Sequence, residues 1–491
     1  MKIKIILLLC VILCCLNCNT KKEKNVAVKK EVYKDTIQSQ KKLKTNTSPF
    51  KAVPMPSTLL SGLPFPTDST VINKWVANPK YNTVKAGSFE TNPDIINHGW
   101  DIWYALTAFT NQKNNDQPLR RFETWYSPQD ITTALKKTKT DTSFTLNKLR
   151  TRVTKLRDPH QFHGAETSED DVVSFVKYDP NAAKHIFENK LFFPSVLESM
   201  VKGNQIARIP DFPDSAVAIK PVFDPLTAID KKQGKQVCDD CYQIDIWPGE
   251  QGNTNRKFGQ GDWKNYAYVT LSGKTDKSRS IYNIDEFIHF RLNENQASYL
   301  NSKENPVVAG DYAILYAMHT TTREIRRWTW QTFFWSGNVS PPHKPSTEVI
   351  ESFKPKQLET AAKNYAMAIA FSMVKPAQPY YGGSGKNAIP LFAYNPYLEA
   401  GFGLSTFEAG NKAVQKYGIS QKVGNILNKY GMQTNCMSCH GQARYLPGIT
   451  NSKGPHLYIT DQYFDLAAPY FNNTVTLDFS WGIQGNLMEG Y

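Results

Sequence analysis

The chain is short of cysteine and histidine: 491 residues carry eight of one and nine of the other. So few thiols in so long a chain exclude a scaffold built on disulfides. They fall in three groups: Cys10, Cys14, Cys15 and Cys18; Cys238 with Cys241; Cys436 with Cys439. Long apolar runs are also missing. A bilayer-spanning helix needs about 20 apolar residues. Past the first 18 residues nothing approaches that length, and the run at Ala366–Val374 is too short. There is no internal repeat and no regular strand–helix alternation. No P-loop, dinucleotide glycine fingerprint or Ser-His-Asp set appears in motif form. The net charge of +14 is mostly one tail: residues 19–56 hold +7, Lys2 and Lys4 add two, and the chain from 57 keeps +5. A body without a basic stripe gives no case for nucleic acid.

What is present begins with Met1-Lys2-Ile3-Lys4, a basic start, followed by the apolar run Ile5–Leu16. That pattern reads as a signal peptide over residues 1–18. The run closes on Cys15-Leu16-Asn17-Cys18 before polar Asn19-Thr20-Lys21-Lys22. It resembles a bacterial lipoprotein signal, which implies lipidation of Cys18, export, and a periplasmic or outer-membrane-anchored protein. Plain secretion with cleavage elsewhere is the alternative. Residues 19–66 are rich in Lys, Thr, Ser and Gln and end in a proline cluster. Too little apolar surface is available there to offset ordering entropy, so a disordered basic tether is expected. Its charge suits an anionic lipid surface.

Residues 67–410 read as an α+β body, with an antiparallel sheet or sandwich as the expected core. Asn92-Pro93-Asp94 opens a helix with Ile95, Ile96, Trp100, Trp103 and Leu106 on one side, and Ser127-Pro128 opens another. Helices are expected over 181–201, ended by Gly203, and over Lys356–Val374. Strand character marks Ala216–Val222, Tyr242–Trp247, Tyr266–Ser272, Asp311–Ala317 and Glu324–Trp335. On that last strand Trp328, Trp330, Thr332 and Phe334 would share one face. Residues 411–491 turn helical again at Asn411–Tyr430, while Thr474–Trp481 alternates as a strand.

The most informative stretch is Cys436-Met437-Ser438-Cys439-His440, the C-x-x-C-H spacing of covalent haem attachment. Residues three apart on a helical turn share a face, so both thiols can reach one porphyrin edge. The next side chain, His440, then reaches the iron. A zinc site would want a second ligand pair, and after His440 the chain offers only His456. The segment resembles the cytochrome c family over these five residues, and more weakly over Gly454-Pro455-His456-Leu457. The resemblance implies a small, mainly helical haem domain, one covalent haem c, and electron transfer through the haem; it implies no particular partner, and a redox partner protein or a quinone-linked chain of unknown identity is expected. It implies a sixth ligand from Met488 or His456; Met318 or His319 of the body, or an open position, are the alternatives.

Cys238-Asp239-Asp240-Cys241 precedes Tyr242 and so lacks the histidine of a second haem site. In an oxidising compartment a local disulfide is expected there. Trp328–Trp335 reads first as sheet core. The sharper reading is an aromatic wall beside a haem, with His319 or Arg323 near a propionate or a substrate. Asn97-His98-Gly99-Trp100-Asp101 likewise places polar groups for a cleft, against a satisfied core histidine. Three functions therefore compete: an electron carrier, a haem-dependent oxidoreductase whose body binds a small substrate, and a membrane-tethered binding module.

Overall fold

The computed structural model describes residues 51–84, 92–114, 117–149, 176–249, 263–301, 306–337, 339–399, 435–448, 463 and 465–488. In chain order its strands are β1 (Phe109–Asn114), β2 (Gln117–Arg120), β3 (Lys177–Tyr178), β4 (Ala207–Arg208), β5 (Val217–Pro225), β6 (Tyr242–Asp245), β7 (Tyr266–Thr270) and β8 (Ile281–Asn283). They continue with β9 (His289–Arg291), β10 (Tyr312–Thr322), β11 (Thr329–Trp335), β12 (Tyr365–Ala370), β13 (Val374–Lys375), β14 (Ile389–Pro390), β15 (Arg444–Tyr445) and β16 (Val475–Thr476). Six of them form the central sheet, in the order β12-β11-β10-β5-β3 with β9 also on β10. Every pairing in that sheet is antiparallel. The mixed α+β class stands.

The sheet is buried on both faces: β11 and β12 have no exposed position. One face packs on the helix Pro93–Thr107. Asn92 caps that helix by accepting the Asp94 N–H at 3.0 Å, with Pro93 pre-setting its first turn. Trp103 stacks on Phe333 of β11, ring centroids 4.2 Å apart. Close approach needs Gly99, where a Cβ would stand 2.8 Å from the Met367 sulfur. The alternate residues of the same strands, Ala218, Trp330, Ala368 and Ala370, point to the other face. There they join a second apolar core with Cys436, Met437, Tyr445, Phe471 and Val475. β16 lies between β15 and β4, parallel to β4, so the C-terminal residues are sewn to the strand at Ala207–Arg208.

Several expectations need correction. The helix expected over Lys356–Val374 is a short 3-10 turn, Ala362–Asn364, followed by β12 and β13. The three alanines and the methionine of Tyr-Ala-Met-Ala-Ile-Ala are good helix formers, but pairing with β11 and burial on both faces override propensity. The helix expected over 181–201 is two, Pro180–Glu188 and Pro194–Met200: Lys190 turns left-handed, φ +53°, to close the first, and Pro194 opens the second. The strand expected from Glu324 starts at Thr329. Trp328 precedes it with φ +60°, outside the strand that carries Trp330, Thr332 and Phe334, though it is buried in the same core as Trp330. Thr474–Trp481 is strand only at β16; Trp481 opens the helix Trp481–Gln484. Residues 51–66 are no loose tether, since Met55, Leu59 and Phe65 are buried in the first core. The signal peptide, Cys18, most of the tether, His456 and the helix expected at Asn411–Tyr430 lie outside the described residues. Among the described residues, no helix is long and apolar enough to cross a membrane.

Candidate functional site

Cys436–His440 is one short helix. Asn435 holds its start from three sides. Its side-chain oxygen accepts the Ser438 N–H at 3.1 Å, and its amide donates to the carbonyls of Ser372 at 3.0 Å and Leu391 at 2.7 Å. A buried amide with all these partners fixes where the turn begins. Cys436 is buried and its thiol donates to the Ala393 carbonyl at 3.2 Å. Cys439 is half-buried, and its carbonyl accepts the Trp481 indole N–H at 3.2 Å. Both thiols are unbonded to one another.

His440 donates from Nδ1 to the Phe479 carbonyl at 2.9 Å. A carbonyl only accepts, so the proton sits on Nδ1 and the neutral ring keeps its lone pair on Nε2. Burial pushes the imidazole down to about 3, against the Phe479 carbonyl. Burial pushes the Cys439 thiol up to about 12 and the Cys436 thiol up as well. The site therefore holds two protonated thiols and a neutral imidazole. Phe479 and Asp478 present that carbonyl from the left-handed region, with φ +67° and +45°. Non-glycine residues there cost roughly 1–3 kcal/mol each, and such strain gathers at functional positions. Arg323 clamps the loop by donating from Nε to Asp478 at 2.9 Å, with Asp211 3.6 Å away.

Trp330 of β11 packs against His440, ring centroids 4.3 Å apart. His319, on β10, gives Nε2 to Glu399 at 2.8 Å. It faces Lys220 across β5 and Thr332 across β11. Met318 points to the opposite face and lies in the first core. His98 is also there, paired with Glu324 at 3.1 Å, and Asp101 accepts from Ser61 at 3.3 Å; both serve the core rather than a cleft. Met488 is buried, its N–H given to the Phe192 carbonyl at 2.8 Å. A small open cleft borders the motif, with Arg208, Asp211, Tyr380, Gly441, Asp478 and Phe479 among its walls. Cys238 and Cys241 are joined by a disulfide, with Cα atoms 5.3 Å apart. Of the groups around the motif, Phe479, Glu399 and Lys220 carry no local signal in the sequence. Asn435 does: it is an N-cap residue directly before the turn.

No family model, curated protein or solved structure matches the chain.

Proposed function

We propose that the protein is an exported, membrane-tethered monohaem c-type electron carrier. The donor set fits a covalent haem. Cys436 and Cys439 would form the two thioethers, and Nε2 of His440 would bind the iron. The observation that carries the reading is His440, a neutral imidazole whose Nδ1–H is fixed by a backbone carbonyl. Outer partners of this kind set the tautomer and aim of a metal-ligating histidine. When bound, the haem supplies one-electron exchange between ferric and ferrous iron. The chain's own residues orient the ligand through Phe479 and shield one side with Trp330. Within this reading residues 411–491 form the mainly helical haem-binding region. Residues 1–18 are the export signal, Cys18 is the lipid anchor, and the partner is a redox protein or a quinone-linked chain. Met488 and His456 are the sequence's candidates for the sixth ligand.

The test is the visible spectrum of protein made in a host that attaches haem. A thioether haem that survives acid–acetone extraction is expected, and Cys436→Ala/Cys439→Ala should release it. A colourless wild type would end the proposal. The charged side chains of Arg208, Asp211 and Asp478 in the cleft beside Gly441 support a second reading, a haem-dependent oxidoreductase acting on a small substrate. Reduction of the haem by a candidate substrate alone would establish it over simple carriage.

A further inference from the structure

Two described histidines, His98 and His319, hold Nε2 on a carboxylate and leave Nδ1 buried without a partner; His98 lies in the first core, whereas His319 lies on the sheet face that carries Trp330. In His319, Nε2 is held by Glu399 at 2.8 Å. A carboxylate only accepts, so Nε2 carries a proton, and in the neutral ring the lone pair is then on Nδ1. Nδ1 is sealed from solvent and has no hydrogen-bond partner. A buried acceptor left unpaired costs about 1–3 kcal/mol. A histidine with one nitrogen on a carboxylate and the other bare is the arrangement that outer partners give to metal-binding imidazoles.

The neighbourhood of that nitrogen is the attachment motif. His319 pairs with Thr332 of β11, and Trp330, two residues away on the same face, packs on His440. His319 lies near enough to His440, and Glu399 and Lys220 near enough to Cys439, to act on them electrostatically. The alternatives are placed differently. Met318 turns to the far face of the sheet with Phe333 and Met367. Met488 lies in the second apolar core, which also holds Cys436, and its backbone is tied to the Phe192 carbonyl.

We propose that His319 supplies the second axial ligand to the haem iron through Nδ1, with Glu399 as the positioning residue that holds the ring. This rests on the haem reading above. The ligand thus comes from the central sheet of the body, and joins it to the C-terminal motif.

The full chain, made with haem attached, distinguishes the outcomes. Wild type is expected to be low-spin and to lack the methionine-to-iron charge-transfer band. His319→Ala should lose most of the low-spin signal, tenfold or more by electron paramagnetic resonance, at unchanged haem content; added imidazole should restore it. Met488→Ala should leave the spectrum as it is. His319→Met keeps a ligand of similar bulk and should bring in the charge-transfer band. Haem-loaded wild type showing that band, or His319→Ala or His319→Met leaving the spectrum unchanged, would overturn the His319 assignment alone. Protein without haem would overturn it together with the reading beneath it.

Discussion

Trp330 and His440 lie ring against ring, centroids 4.3 Å apart with planes tilted by 40°. The indole N–H is anchored on the Arg327 carbonyl at 3.0 Å, so the aromatic face toward His440 is fixed from the strand side. Truncating a buried tryptophan costs about 3–5 kcal/mol. Trp330→Ala is expected to lower the unfolding free energy by that amount in urea titrations. Trp330→Phe, which keeps the ring and loses the indole bond, should cost less than half as much.

Asn435 gives a sharper test of local design. Asp is as good an N-cap as Asn in general. Here the amide also donates to two carbonyls, Ser372 and Leu391. Asn435→Asp keeps the cap but aims a carboxylate at two acceptors. It should destabilise at least as much as Asn435→Ala, by roughly 3 kcal/mol from the lost bonds. Thermal unfolding of the two variants decides it, and a benign Asp variant would show that the cap alone matters.

The His98–Glu324 pair predicts an acid limit. Burial pushes the Glu324 carboxyl up, but His98, the Thr322 hydroxyl and the Thr67 N–H more than offset it, and the group ends below its ordinary 4.5. A carboxyl lowered in the folded state contributes stability above its unfolded pKa, and loses it as pH falls through the folded value. Stability should therefore decline below about pH 4.5. Glu324→Gln should flatten that decline while costing about 3–5 kcal/mol at neutral pH, as expected for breaking a buried pair. Unfolding midpoints across pH 3–7 measure both.

The Cys238–Cys241 bridge closes a very short loop. The entropy gained from such a loop is only about 2 kcal/mol. Cys238→Ser/Cys241→Ser should fold and keep any haem spectrum, with a small fall in unfolding temperature. Loss of colour in this variant would place the pair in the haem site, against the geometry.

Part of this was legible along the chain and part was not. The motif at Cys436–His440, the capped helix from Asn92 and the strand segments at β5, β7 and β10 follow from spacing and side-chain type. β12 did not, because alternating alanines fit a helix as well as a strand when both faces are buried. The left-handed turn at Trp328 has no signature in an aromatic run. The groups that finish the site reach it across the fold: Phe479 meets His440 over 39 residues, and Glu399 meets His319 over 80. Local patterns carry no information about such pairings.

The most direct test is the mass of the tryptic peptide that contains Cys436, Cys439 and His440, from protein made where haem attachment operates. The account predicts that this peptide carries one haem through two thioethers and absorbs in the Soret region. A peptide of unmodified mass, with both thiols open to alkylation, would contradict it.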